Sequence, residues 1–158
     1  MMATEFDKRI GVHMLNNRPT VLALDLEGTL ISTAHSQIPR PGLCDFLKHC
    51  QALFPRIVIF TAVEEARFRP IARLLVENGD APSWFADIEY IHWYGVIKDF
   101  KFIPNANVSD ILLVDDFEPY VQKEQKSQWV RIENFDPPYP EVADELERVL
   151  KLLEQHVA

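Results

Sequence analysis

The chain has 158 residues, 47% hydrophobic and 25% charged, which suits one globular domain over 1–158 with its own core and argues against intrinsic disorder. Lys and Arg number 16 against 24 Asp and Glu, a formal net charge of −8 that repels phosphate backbones and excludes nonspecific nucleic-acid binding. The two cysteines, Cys44 and Cys50, fall in one expected helix and suit neither a disulfide framework nor a zinc site; both read as reduced thiols in or near the core.

The opening MMATEFDKRIGVHMLNNRP carries no apolar leader core, and no later run approaches the roughly 20 apolar residues that span a bilayer, so a cytoplasmic protein with no membrane partner is expected. Val21 to Leu24 is apolar throughout and ends in Asp25, the pattern of a strand buried on both faces. Pro41 and Gly42 open a helix in which Leu43, Phe46, Leu47, Cys50 and Leu53 recur at helical spacing, and Pro55 ends it. Arg56 to Phe60 reads as a second strand with Thr61 at its end. Glu64 to Asn78 reads as a helix with Ile71, Leu74 and Leu75 inward, stopped by Gly79. A strand over Ile88 to Ile91 follows, then the apolar strand Ile111 to Val114 running into Asp115-Asp116. A helix from Phe117 to Lys126, a strand from Trp129 to Ile132, the extended connector Asp136 to Pro140 and a helix from Glu141 to His156 complete the series. Val142, Leu146, Val149, Leu150 and Leu153 form the last helix's stripe.

Alternating strands and helices predict right-handed crossovers and a Rossmann-like three-layer α/β sandwich around a central, mostly parallel sheet. Ligands of such sheets lie beyond the carboxyl ends of the strands, where Asp25, Thr61 and Asp115-Asp116 all fall. Carboxylates of Asp25, Glu27, Asp115 and Asp116 at one rim repel one another unless a cation sits between them, and an all-oxygen set favours Mg²⁺ over zinc. With Lys98, the Thr61 hydroxyl and the amides of Gly28 and Thr29, such a rim suits phosphate oxygens, and a metal-side Asp can attack phosphorus. Taken singly, each position has a plainer reading: strand-end acids are turn formers, Asp116 can cap a helix at Phe117, and Lys98 can be a solvated surface lysine. It is the joint order that points to phosphoryl transfer.

In that order the residues resemble the haloacid dehalogenase superfamily. Asp25-Leu26-Glu27-Gly28-Thr29-Leu30 resembles its first motif, DxDGT, whose leading Asp is the nucleophile. Phe60-Thr61-Ala62 is similar to the second, in which the Thr holds the phosphoryl group. Ile97-Lys98-Asp99 is similar to the third, whose Lys offsets phosphate charge, and Val114-Asp115-Asp116 to the acidic fourth, which holds Mg²⁺. Arg40-Pro41-Gly42-Leu43 followed by Phe46-Leu47 further resembles the capless branch of NLI-interacting-factor-like and carboxy-terminal-domain phosphatases. The resemblance covers residues 20 to 120. It implies a Mg²⁺-dependent phosphatase with Asp25 as nucleophile, and a metal held by Asp25, Asp115, Asp116 and the backbone carbonyl of Glu27.

The resemblance also exposes a departure. The family's second Asp, which protonates the leaving group and then activates water, is Glu27 here. The extra methylene shifts the acid relative to a hydrogen-bond window of about 2.6–3.2 Å, so metal binding should survive better than turnover. The expectation is that Glu27 still serves as acid and base. Alternatives from other classes are a noncatalytic phosphate- or partner-binding module and a phosphotransferase with an acceptor other than water.

Lengths bound access to the site. The 35 residues between Asp25 and Thr61 and the 36 between Thr61 and Lys98 are mostly used by a helix and a strand each, leaving no room for a cap domain. An open site suits a phosphorylated macromolecule, a substrate partly enclosed by a second subunit, or a small promiscuous phosphatase; the sequence does not set the oligomeric state. The aromatic stretch Trp84-Phe85 and Tyr90 to Tyr94 reads either as packing over the sheet or as a stacking wall. Arg67, Arg69 and Arg73 read as a solvated helix face or a second phosphate contact, Glu118 and Tyr120 as rim candidates. The five histidines show no metal spacing.

Overall fold

A computed structural model describes residues 18–158; the amino-terminal segment read above as lacking a leader core lies outside the described residues. β1 (Val21–Leu24) is wholly buried and occupies the middle of a five-stranded sheet in which every pairing is parallel. The others are β2 (Arg56–Ile59), β3 (Glu89–Tyr90), β4 (Ile111–Asp115) and β5 (Trp129–Arg131), in the order β3-β2-β1-β4-β5. The chain moves outward from β1 to β3, then returns to β4 on the other side of β1. The crevice between β1 and β4 is therefore the topological switch point, where parallel sheets place their ligands.

Alternation along the strands sorts the core into two layers. Leu22, Leu24, Leu112 and Val114 point to one face, where they meet α1 (Leu43–Leu53), α2 (Glu65–Glu77) and α3 (Asp144–Val157). Val21, Ala23, Ile111 and Leu113 point to the other and meet Phe100, Ile103 and Val121 from the segments before and after β4. All three α-helices lie on the first face. The second layer of the sandwich is made of loops and 3-10 turns at Phe100–Phe102, Val108–Asp110, Glu118–Tyr120 and Lys123–Gln128.

That layer corrects one sequence expectation: Phe117 to Lys126 is not an α-helix. Pro119 withholds an amide, and Val121 and Gln122 take extended angles (φ −82°, ψ 126° and φ −63°, ψ 131°), so the segment breaks into two short turns. In α2 the buried stripe is Phe68, Ile71, Ala72 and Leu75, whereas Leu74 is 45% exposed, one position off the i, i+3, i+4, i+7 row. Gly79, at φ +79°, ends this helix in the left-handed conformation expected of it. β3 is shorter than the expected Ile88 to Ile91. α3 starts at Asp144 rather than Glu141, because Ala143 first seats against Gly42, leaving Val142 exposed ahead of the helix. Cys44 and Cys50 are free thiols, and burial pushes the Cys50 pKa up. No helix among the described residues is long and apolar enough to cross a membrane.

Candidate active site

Register alone brings the acidic residues together. Leu24 pairs with Ile59 on one side and Val114 on the other, so Asp25 and Asp115 leave adjacent strands at the same level. The Asp25 amide donates to the Val114 carbonyl at 3.0 Å. Carboxylate oxygens of Asp25, Asp115 and Asp116 all lie within 4.8 Å of one another, with the first two side chains buried. The Thr29 hydroxyl stands 2.9 Å from Asp25 Oδ2 and 3.1 Å from Asp116 Oδ1. Asp115 Oδ1 also accepts the Phe117 amide at 2.9 Å, and the turn Glu118–Tyr120 that follows has no side-chain cap, so Asp116 does not cap a helix at Phe117.

Lys98 enters from the β3–β4 crossover and is fully buried, so the solvated-lysine reading is wrong for this residue. Its Nζ donates to Asp25 Oδ1 at 2.9 Å and to Asp115 Oδ2 at 2.6 Å. Three rings surround the ammonium: Tyr120, Phe60 and Trp93, with centroids at 4.7, 5.9 and 6.0 Å. Burial alone would lower the lysine pKa, but Asp25 and Asp115 outweigh it and raise the value, keeping the charge.

One ammonium does not balance three carboxylates. Desolvation, then the neighbouring Asp25, push Asp115 and Asp116 up to about 7. A second cation would relieve this. The group offers hard oxygen donors from two strand ends and no sulfur or nitrogen, the donor set of Mg²⁺.

The loop after β1 is held from behind. Buried Arg40 donates from Nε to the Thr29 carbonyl at 2.7 Å, and from one terminal nitrogen to the carbonyls of Gly28 at 2.8 Å and Glu133 at 2.5 Å. Its guanidinium lies 4.9 Å from the centroid of the Phe135 ring. Burial draws the Arg40 pKa below its ordinary value, against the opposing pull of Glu145, Asp116 and Glu133. The sequence reading placed Arg40 only in a family pattern; a lone Arg before Pro-Gly carries no signal of three backbone acceptors. Gly28 has φ +74°, and a Cβ there would collide with the side chains of Asn134 and Asp116.

Two expectations for this loop are corrected. The amides of Gly28 and Thr29 do not face a phosphate pocket: Gly28 N donates to the carbonyls of Ile31 and Ser32 at 2.8 and 3.0 Å, and Thr29 N to Leu26 at 3.2 Å. Within residues 25–32 it is the amides of Leu26 and Glu27 that have no acceptor among the described residues. The Glu27 side chain, in turn, stands outside the three-carboxylate group. Its Oε2 accepts the Ala34 amide at 2.6 Å, tying it to the flap made by the Ile31–Pro39 bridge.

The cluster opens to solvent through a pocket of about 260 Å³ lined by Asp25, Glu27, Gly28, Thr61, Asp116 and Asn134 among others. Thr61 is buried; its hydroxyl accepts the Val63 amide at 3.1 Å, and its carbonyl accepts Trp93 Nε1 at 2.7 Å. Phe85 is core, whereas Tyr90, Trp93 and Tyr94 line a neighbouring groove, so the aromatic stretch divides between its two readings. Arg69 is bound to Glu65 and the Ala86 carbonyl, and none of Arg67, Arg69 and Arg73 lines the pocket. Glu118 pairs with Lys126, while Tyr120 reaches the rim.

Residues 20–158 match the family described as NLI interacting factor-like phosphatase. No curated protein sequence matches the chain. Among solved structures it is similar to Fcp1, an essential RNA polymerase II CTD phosphatase, at TM-score 0.55 and 13% identity over 96% of this chain and 53% of that one. It is likewise similar to a variant of fission yeast Fcp1 bound to beryllium fluoride, at TM-score 0.54 and 13% identity over 96% and 55%. At that identity the similarity is one of fold, and this chain spans about half the length of either. The parallel sheet, the ordered strand-end motifs and the match over residues 20–158 together mean that the chain belongs to the NLI interacting factor-like phosphatase family, in the haloacid dehalogenase superfamily.

Proposed function

We propose that the chain is a Mg²⁺-dependent phosphatase that hydrolyses phosphoric monoesters through an aspartyl phosphate on Asp25. The supporting observation is the convergence of Asp25, Asp115 and Asp116 within 4.8 Å, with Lys98 bonded to two of them. Of the three clustered carboxylates Asp25 and Asp116 line the pocket while Asp115 is fully buried, and Asp25 leads the stretch that resembles the nucleophile motif. Asp25 attacks, the bond from phosphorus to the ester oxygen breaks, and Glu27 delivers its proton to the departing oxygen. Glu27 then takes a proton from a water that attacks phosphorus, freeing Asp25 and releasing inorganic phosphate.

Thr61, Lys98 and the amides of Leu26 and Glu27 hold the phosphoryl oxygens in this scheme. Asp25, Asp115, Asp116 and the Glu27 carbonyl would hold Mg²⁺, whose charge offsets that of the phosphoryl group when bound. Arg40 and Thr29 orient the loop rather than touch substrate. Steady release from an aryl phosphate that requires Mg²⁺ and disappears in Asp25→Asn is the expected result; release that persists in Asp25→Asn overturns the scheme.

The bond from Glu27 to Ala34 favours a second reading, a phosphate-binding module with little turnover, because it holds the acid on the flap. Tight vanadate or phosphate binding without hydrolysis of any phosphomonoester would select it.

A further inference from the structure

Beside the pocket above Asp25 lies a larger groove of about 470 Å³, and the two share Thr61, Ala62 and Tyr120. A group departing from phosphorus at Asp25 has this groove as its neighbouring space. The walls are aromatic and acidic: Tyr90, Trp93, Tyr94 and Tyr120 supply rings, Glu64 and Glu65 carboxylates, His92 an imidazole, and among the described residues no lysine or arginine lines it. Glu65 is engaged, 2.9 Å from Arg69 and 3.4 Å from His92 Nε2. Glu64 is exposed and has no ion-pair partner among the described residues. At the outer lip Tyr94 is 81% exposed and Val96 77%, an apolar edge open to solvent.

Packing explains part of this lining. Trp93 sits edge-on to Phe60 and Tyr120 and bonds the Thr61 carbonyl, which places it for the sake of the strand end. Tyr94 stands edge-on to Phe102 at 5.0 Å yet remains 81% exposed, and it shares the groove with Glu64, a carboxylate without an ion-pair partner among the described residues. Aromatic faces carry negative potential and attract cations within about 6 Å of the ring centre. A carboxylate beside them adds to that field; Lys98, whose ammonium lies 4.7 Å from the Tyr120 ring centroid, is already bonded to Asp25 and Asp115, so a second anion on the substrate would meet Glu64 unpaired among the described residues. Glu64 and Glu65 also complement the amino-terminal end of α2, so the decisive readout has to be substrate choice rather than stability.

We propose that this groove is the leaving-group subsite and that it selects phosphomonoesters whose leaving group carries a fixed positive charge, an alkylammonium or guanidinium. The proposal rests on the phosphatase reading above. Such a charge has two sources, a small free phosphomonoester or a Lys or Arg side chain beside a phosphorylated residue of a polypeptide.

The test compares kcat/KM in two matched series. Phosphocholine is set against its neutral isostere 3,3-dimethylbutyl phosphate, and phosphoserine peptides differ only in Lys, Ala or Glu beside the phosphoserine. A cation preference of about tenfold is expected in at least one series, falling several-fold in Glu64→Gln and in Tyr94→Ala. Preference in the first series alone assigns a small molecule, and in the second a polypeptide. Equal rates within both series, or a preference that both variants leave intact, overturns the subsite. Failure to hydrolyse p-nitrophenyl phosphate counts against the phosphatase reading instead. The two small esters are then compared as ligands by calorimetry, where equal affinities overturn the subsite too.

Discussion

Lys98 Nζ lies 2.6 Å from Asp115 Oδ2, a buried ion pair that joins the crossover after β3 to the end of β4. Its second bond, to Asp25, makes the lysine a cation shared by two strand ends. Lys98→Met keeps volume and removes the charge, leaving two buried carboxylates without a counter-ion. Breaking a buried pair from one side costs about 3–5 kcal/mol, and urea unfolding of the metal-free protein should read a loss of that order. Millimolar Mg²⁺ should recover part of it. A variant as stable as the native protein without metal would show that the pair holds nothing together.

The acidic cluster makes stability and metal uptake depend on pH in a fixed direction. Asp115 and Asp116 titrate near 7 in the folded chain against an ordinary 3.8, so the native state binds protons more tightly than the unfolded state. Their contribution to the stability of the metal-free protein is therefore largest below about pH 4 and declines as pH rises to about 7. Mg²⁺ competes with those protons, so affinity should rise from acid to neutral pH and binding near pH 6 should release protons. Calorimetry in buffers of different ionisation enthalpy measures that release. A binding enthalpy independent of buffer would contradict the expected linkage.

How much of this was legible in the sequence depends on the kind of interaction involved. β1 and β4 could be read because a buried parallel strand must be apolar throughout, and Asp25 and Asp115 because a charge directly after such a run is conspicuous. Their meeting followed from parallel register, which the alternation of strands and helices already implied. The 3-10 layer was hidden because Phe117 to Lys126 holds ordinary helix formers on either side of Pro119; its extended break is set by Lys98, whose amide bonds the Tyr120 carbonyl at 2.8 Å. Arg40 was hidden because its partners are backbone carbonyls, which any residue supplies. The direction of the Glu27 carboxylate depends on where the flap folds back, and no local pattern states that.

Arg40 supplies the third prediction. Its three acceptors belong to the loop of the proposed nucleophile and to Glu133 after β5, so it fixes that loop against the far edge of the sheet without facing the pocket. Arg40→Lys retains the charge but a single ammonium cannot reproduce the planar fork. The expected result is a fall in kcat of tenfold or more, on the order of 1.4 kcal/mol, with KM little changed, because loop placement matters most as the bond to phosphorus forms. Arg40→Ala should destabilise further, since each buried carbonyl left unpaired costs about 1–3 kcal/mol. If both variants kept the native kcat, the clasp would be structural only.

Glu27 separates the enzymatic reading from the binding one. Its carboxylate is held at 2.6 Å by the Ala34 amide, yet it lines the pocket that contains Asp25. Glu27→Gln keeps the length and an oxygen able to accept from Ala34 while removing the proton. Acid–base help contributes about 10²–10⁴-fold, so turnover should fall by that factor. The fall should be steepest for alkyl phosphates, whose leaving oxygen needs protonation. With an activated aryl ester the first step needs less acid, so phosphoenzyme should accumulate and appear as a burst, because water still lacks its base. Glu27→Asp shortens the arm and gives up reach toward Ala34, but it keeps a carboxylate two residues beyond Asp25, so it should retain far more activity than the Gln variant. Gln turnover equal to native, with no burst, would remove Glu27 from the chemistry and leave it a strut between the loop and the flap.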